Sequence, residues 1–280
     1  IYRNRIQIDF SVNINPLGIP EEVKDALHQA VDVCMQYPDR EAEQLKEALS
    51  RKFCLPKTYF LPGNGASELF LGILHALKPK KVILPVPSFY GYAYTAKAVG
   101  SEVVCVPLKK EEDFLPGEEL VLALQEDAEL LFLANPNNPT GKLMKPAYLE
   151  NVLEVCKEKN IYVVLDECFI EFCEKENSMV QKLSTYRNLL IVRAFTKIYA
   201  IPGVRLGYLM CSDKELLQKI RGQLPEWNLS VFAEAAGIAC LQQQEYLKKT
   251  VEYVAAERKF LTEKLQNLGL QLILSDANFI

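Results

Sequence analysis

Lys197 stands among Phe195, Thr196, Ile198, Tyr199, Ala200 and Ile201, with no acidic residue nearby in sequence. A lysine held among apolar groups loses its proton more easily than one in water. The neutral amine then suits Schiff-base chemistry with a carbonyl compound. A solvated surface lysine remains the plain alternative for this segment alone. Three other clusters also follow apolar runs. Asp166-Glu167 closes the run 161–165, either as a solvated strand end or as the partner of a cation in a site. Asn135-Pro136-Asn137-Asn138-Pro139-Thr140-Gly141 follows residues 130–134. Its prolines forbid regular structure and stiffen the loop, so the asparagine amides can be held in fixed directions. Gly63-Asn64-Gly65-Ala66-Ser67-Glu68 follows the run 58–61 and opens a helix. Small residues there let backbone N–H groups and the Ser67 hydroxyl face an anion, although a turn with Ser67 as helix cap accounts for it equally.

Other chemistries find little support. The only histidines, His28 and His75, lie in helical patterns, so a hydrolase built on histidine has almost nothing to work with. Eight cysteines are scattered without a CxxC pair, the closest two, Cys168 and Cys173, lying in an apolar strand-like stretch, which reads as mostly buried thiols of a cytoplasmic protein rather than a zinc or disulfide framework. No metal site is expected. Thr140-Gly141-Lys142 superficially resembles the end of a phosphate-binding P-loop, but Pro136 stands where that loop needs glycine. With 32 basic and 36 acidic residues, net −4, neither sign dominates, which argues against nucleic acid or an anionic membrane as partner. No apolar run approaches the ~18 residues needed to cross a bilayer, and no signal segment is evident at the start.

These clusters need a scaffold that brings strand ends together. After an extended opening, Pro16 and Gly18 predict a turn, and Pro20 starts a helix over 21–33. A second amphipathic helix is predicted over 41–53. Strand-like runs at 82–85, 102–107, 129–134, 161–166, 189–195 and 206–211 alternate with helix-length segments at 67–77, 89–99, 118–124 and 147–159. Such alternation predicts an α/β fold, a largely parallel central sheet flanked by helices on both faces. In such sheets ligands bind beyond the carboxyl ends of the strands, where the four clusters fall. Beyond residue 225, helices are predicted over 230–241 and 245–268, the second with one apolar stripe from Leu247 to Leu268. Gly269 ends it, and 270–274 reads as a strand of a new sheet. The 280 residues thus divide into an N-terminal arm and linking helix (1–35), a large domain (36–225) and the start of a smaller α+β domain (226–280).

Together, the anion loop, Asn-Pro-Asn-Asn-Pro-Thr-Gly, the strand-end Asp166, and Lys197 with Arg205 eight positions later resemble one family. These are the fold-type I, pyridoxal-phosphate-dependent aminotransferases of classes I and II, and the resemblance covers essentially the whole chain. It implies that Lys197 bonds covalently to the aldehyde of pyridoxal 5′-phosphate and moves the substrate's α-proton. Asp166 would pair with the pyridinium nitrogen, and Asn138 would donate to the phenolic oxygen. Gly65, Ala66 and Ser67, with Thr196 and Arg205, would hold the phosphate. Phe89 would stack on the ring. Tyr37, in Tyr37-Pro38-Asp39, matches the tyrosine that reaches the neighbouring subunit's phosphate, implying a homodimer with shared active sites. Two residues depart from the family pattern: Phe169 where a tyrosine often donates to the phenolic oxygen, and Ala194 where a hydroxyl residue often helps hold phosphate.

The opening Ile8-Asp9-Phe10-Ser11-Val12-Asn13-Ile14-Asn15-Pro16-Leu17-Gly18 resembles a branch of the family that decarboxylates a phosphorylated amino acid. A transaminating branch shares nearly every cofactor residue and is the alternative. Both imply a small phosphorylated, amino-acid-like substrate. The family's carboxylate-gripping arginine is expected beyond Ile280, which would leave the smaller domain incomplete here.

Overall fold

The apolar runs pair into one seven-stranded sheet. The structure, a computed structural model, describes residues 10, 12–125, 127–173 and 177–280; most of the opening segment 8–11 lies outside them. The strands are β1 (Phe60–Gly63), β2 (Lys81–Val86), β3 (Glu102–Pro107), β4 (Leu130–Ala134), β5 (Tyr162–Asp166), β6 (Leu189–Ala194) and β7 (Gly207–Met210). Their order is β1-β7-β6-β5-β4-β2-β3. Neighbours from β3 to β6 run parallel, whereas β7 is antiparallel to both β6 and β1. The sheet is therefore largely parallel, as expected.

Pleating sends alternate side chains to opposite faces, and here both faces are buried. In β6, Leu189 and Ile191 join one core while Leu190 and Val192 join the other. The first core is covered by α1 (Glu21–Val33), α2 (Glu43–Phe53), α5 (Glu118–Ala123), α6 (Pro146–Glu158), α9 (Val231–Leu241) and α10 (Gln244–Asn267). The second is covered by α3 (Ala66–Leu77), α4 (Tyr90–Ala98) and α8 (Lys214–Arg221). A short helix, α7 (Phe195–Ile198), follows β6 directly. Two-sided burial explains why the central strands are nearly all apolar.

The helix over 21–33 falls where Pro20 placed it, and the second helix starts at Glu43. Asp39 accepts from the backbone N–H groups of Glu41 and Glu43, at 3.0 and 2.8 Å, and so fixes the entry to that helix. The helix α9, which the sequence assigned to the start of the smaller domain, packs on α1 and α2 and contributes Ala233, Ala236 and Cys240 to the first core.

Three expectations need correction. Residues 270–274 form no strand; they run irregularly after Gly269 with Leu270 and Leu274 exposed, and the described residues contain no second sheet for them to join. The stretch from Cys168 to Cys173 is not strand-like but turns through a 3₁₀ segment at Ile170–Phe172, leaving the sheet at Asp166. The cysteines are less uniformly buried than expected: Cys156, Cys168, Cys211 and Cys240 are buried, whereas Cys34, Cys54 and Cys105 are exposed. Among the described residues, no cluster suited to a metal ion occurs, and no helix is long and apolar enough to cross a membrane.

Candidate active site

Parallel strands end on the same edge of a sheet, so the residues after β2, β4, β5 and β6 converge there. The antiparallel β7 begins at this edge: Gly207 stands opposite both Ala194, the end of β6, and Gly63, the end of β1. The start of α3, the Asn135–Gly141 loop, Asp166, Lys197 and Arg205 are thereby gathered on one side of the molecule.

Asp166 ends β5 and is 9% exposed. Its Oδ2 accepts from the Tyr92 hydroxyl at 2.6 Å and its Oδ1 from the Cys168 backbone N–H at 2.8 Å. Burial pushes its pKa up, while the bonds from Cys168 and Tyr92 pull it back. Among the described residues Asp166 has no cationic partner; the buried Arg193 pairs instead with Glu167. A buried carboxylate with hydrogen bonds but no counter-charge is suited to a cation delivered by a ligand. Tyr92 was not foreseen from sequence. It sits three residues after Phe89 inside α4, stacked on Phe132 with ring centroids 5.0 Å apart. A tyrosine on an apolar helix face reads as core, and only the fold reveals the carboxylate above it.

Lys197 lies in α7, half-buried. Burial depresses its pKa, and the Arg205 charge adds to this. Asn15, buried and also unforeseen, pins the segment: its N–H donates to the Lys197 carbonyl at 3.0 Å and its amide to the Ile198 carbonyl at 2.7 Å. A lysine so held is a ready nucleophile.

At the start of α3, Gly65 has φ +78° and ψ 166°, a backbone conformation nearly restricted to glycine. A side-chain carbon there would lie 2.5 Å from Arg205 Nη2, so the guanidinium packs directly against the helix entrance. Gly207 is equally constrained, since a Cβ would meet the Ala66 nitrogen at 3.0 Å. The free N–H groups of the first turn and a guanidinium thus share one small space, a ready anion site. Ser67 is not the helix cap; the helix begins at Ala66, and Glu68 reaches back to accept from the Asn64 N–H at 2.6 Å. The Ser67 side chain is left exposed on the first turn.

In the asparagine loop, Asn135 accepts from the Met144 N–H at 2.7 Å, and the Asn137 amide donates to Pro87 O at 3.0 Å and Thr140 Oγ1 at 2.9 Å. These two amides hold the loop's shape. Among the described residues the Asn138 amide makes no such bond, which leaves it available to a ligand. Phe89 caps α4 edge-on to Tyr92, with centroids 5.5 Å apart. Thr196 is buried next to Lys197. Tyr37 lies apart from this group, 82% exposed and leaning on Trp227 with centroids 5.0 Å apart. Phe169 packs edge-on against Phe279 at 5.2 Å and offers no hydroxyl, and Ala194 is buried.

The sequence matches the family model of aminotransferase class I and II over residues 5–280. The chain belongs to this family. It is similar to the threonine-phosphate decarboxylase of Salmonella typhimurium, 35% identical over 94% of this chain and 72% of that protein. Among solved structures it is similar to the histidinol-phosphate aminotransferase of Clostridium acetobutylicum, with TM-score 0.90 and 33% identity, covering 96% of this chain and 80% of that one. The histidinol-phosphate aminotransferase of Sinorhizobium meliloti, solved with pyridoxal-5′-phosphate, is also similar (TM-score 0.87, 26% identity, 95% and 72% coverage).

The fold is therefore that of the class I and II aminotransferases, and the cofactor is pyridoxal 5′-phosphate. The residues present fit that group: an anion cradle, a carboxylate lacking a counter-charge and an amine of depressed pKa face one edge. Two expectations follow. Gly65→Ala would impose both a left-handed strain and a clash with Arg205. At about 1–3 kcal/mol for such strain, cofactor affinity should fall roughly 5–150-fold, measured by titrating the apoprotein. The second concerns pH. Capture of an aldehyde needs the neutral Lys197 amine, so capture should accelerate with rising pH and level off below the ordinary lysine range. Arg205→Met removes a positive neighbour and should move that midpoint to higher pH. Unphosphorylated pyridoxal, which does not need the anion cradle, is the probe that separates this effect from phosphate binding.

Proposed function

We propose that this class I and II aminotransferase-family protein decarboxylates L-threonine O-3-phosphate to (R)-1-aminopropan-2-ol phosphate, the linker used in cobalamin biosynthesis. The observation that carries this choice is Phe169. It takes the place of a tyrosine usual in the histidinol-phosphate aminotransferases and packs against Phe279 rather than offering a hydroxyl. The 35% identity to a threonine-phosphate decarboxylase supports the same reading. Histidinol-phosphate or related amino-acid transamination is the second reading, supported by the likeness to the Clostridium enzyme.

Pyridoxal phosphate, when bound, supplies an electron-withdrawing ring that stabilises negative charge developing at the substrate's α-carbon. In this reading the chain's residues divide the remaining work. The first turn of α3 (Gly65, Ala66, Ser67), Thr196 and Arg205 hold the cofactor phosphate. Asp166, kept in place by Tyr92 and the Cys168 N–H, keeps the ring nitrogen protonated. The free Asn138 amide would donate to the phenolic oxygen, and Phe89 would cover one face of the ring. Lys197 would hold the cofactor through Nζ, and the same nitrogen would supply the proton that the α-carbon takes up when carbon dioxide leaves. In the transaminating alternative the same nitrogen would remove the α-proton instead. Tyr37 and Trp227, exposed together, fit a homodimer in which Tyr37 reaches the neighbouring subunit's phosphate.

The deciding experiment compares two substrates. Incubation with L-threonine O-3-phosphate should release carbon dioxide without consuming 2-oxoglutarate. Stoichiometric glutamate from histidinol phosphate and 2-oxoglutarate, with no carbon dioxide from threonine phosphate, would replace this reading with the transaminase.

A further inference from the structure

One buried ion pair has no part in the chemistry above. Glu167 is fully buried and Arg193 is 5% exposed. Arg193 donates from Nε and Nη2 to Glu167 Oε2, at 3.0 and 2.7 Å. The Ser178 hydroxyl donates to the same oxygen at 2.9 Å and accepts from Arg193 Nη2 at 2.7 Å. The Met179 N–H donates to Oε1 at 2.9 Å, and the guanidinium lies over the Phe53 ring, 5.1 Å from its centroid.

The position of the pair in the sheet is informative. Glu167 directly follows Asp166, and its N–H donates to the Val192 carbonyl at 2.8 Å, carrying the β5–β6 ladder one residue beyond β5. Arg193 lies on β6, four residues before Lys197. Alternation turns Asp166 toward Tyr92 on one face of the sheet and Glu167 toward Arg193, whose guanidinium lies over Phe53, on the other. The pair is thus a cross-tie behind the site, joining the two strands from which the carboxylate and the amine emerge. Taking two ions out of water carries a large desolvation cost, and well-packed apolar replacements are often as stable. Apolar contacts do not fix the spacing of two backbones as closely as a charge-assisted pair in which two guanidinium N–H groups hold one carboxylate oxygen.

We propose that Arg193 and Glu167 are positioning residues that set the separation between Asp166 and Lys197 to the length of the bound cofactor ring. The proposal rests on the cofactor and not on which reaction is catalysed. Misplacing reacting groups by ~1 Å costs about 100-fold in rate, so a modest slackening of this tie has a large effect.

The test uses the Arg193→Met/Glu167→Gln double variant, which removes both charges at similar volume, beside Arg193→Lys. Three quantities are read on the whole protein: the apoprotein melting temperature, affinity for inorganic phosphate, and affinity for pyridoxal phosphate together with the pH midpoint of its visible absorbance. The expected result is a double variant that melts near wild type and binds phosphate as before. Its pyridoxal phosphate affinity should fall about tenfold, roughly 1.4 kcal/mol, with a displaced pH midpoint, and Arg193→Lys should recover part of the loss. Unchanged affinity and midpoint in the folded double variant overturn the proposal. So does a loss of affinity that scales with melting temperature or extends equally to phosphate. If the double variant does not fold, Ser178→Ala, which loosens the pair without leaving a charge bare, decides by the same criteria with a smaller shift.

Discussion

Lys197→Ala is expected to reduce turnover by about 10⁴-fold or more, the upper range for loss of a general acid–base group. The group removed has two tasks in the proposed mechanism, anchoring the aldehyde of the cofactor and moving the proton at the substrate's α-carbon. Among the described residues no neighbour is placed to substitute. Cys168 lies close, but burial and the Asp166 charge hold its thiol well above the ordinary range, so it stays protonated and a poor nucleophile. Phosphate binding, which the proposed mechanism assigns to α3 and Arg205, should survive, so the variant should still bind pyridoxal phosphate weakly and without the covalent link. Borohydride reduction gives the clearest reading: the wild-type protein should retain the label at residue 197, and the variant should release it on denaturation. A variant that keeps a reducible covalent link would remove Lys197 from the proposed role.

Asp166→Ala should have the next largest effect, roughly 10²–10⁴-fold in turnover, again within the range for a group that controls a proton in the reaction. The carboxylate is buried and held by Tyr92 and the Cys168 N–H, so it neither swings away nor meets another cation among the described residues. Without it the ring nitrogen would lose its proton at neutral pH and the ring its capacity to draw charge from the substrate. Tyr92→Phe is the graded companion. Removing a hydrogen bond to a charged acceptor costs about 1.5–3 kcal/mol, so activity should fall around tenfold or somewhat more. Because the tyrosine bond lowers the Asp166 pKa, its loss should move the acid limb of the pH–rate profile upward. An Asp166→Ala enzyme with wild-type kcat/KM across the pH range would defeat the assignment.

Much of this scaffold is legible without coordinates, because strand and helix periods are local properties. Pro20 alone placed the start of the first helix, and the apolar runs marked the parallel strands to within a residue or two. Lys197, Asp166 and Arg205 stand out only in combination, because each alone reads equally well as a solvated strand end or surface residue. Residues that act across the fold were hidden. Tyr92 meets Asp166 across 74 positions and Asn15 meets Ile198 across 183, and nothing in their neighbours distinguishes them from core and turn residues. Arg193 sits in an apolar strand and Glu167 directly after one, where their pairing is invisible until β5 and β6 are side by side. The mistaken strand at 270–274 has a related cause. Strand propensity describes a side-chain pattern, whereas a strand exists only when an edge is present to complete its hydrogen bonds.

The reversal of β7 has a mechanical consequence. The chain leaves β6 at Ala194 and re-enters the sheet opposite it at Gly207, and the Phe195 N–H donates to the Leu206 carbonyl at 3.1 Å to close the gap. Lys197 and Arg205 are thus two jaws of a calliper whose hinge is clamped shut. Lys197 and Arg205 stand two residues and one residue from that clamp, so their backbone spacing follows from it. An extra residue between 199 and 204 would bulge the loop beyond the clamp, whereas one inserted next to Ala194 or Gly207 would part the jaws and gauge the ligand to the wrong length.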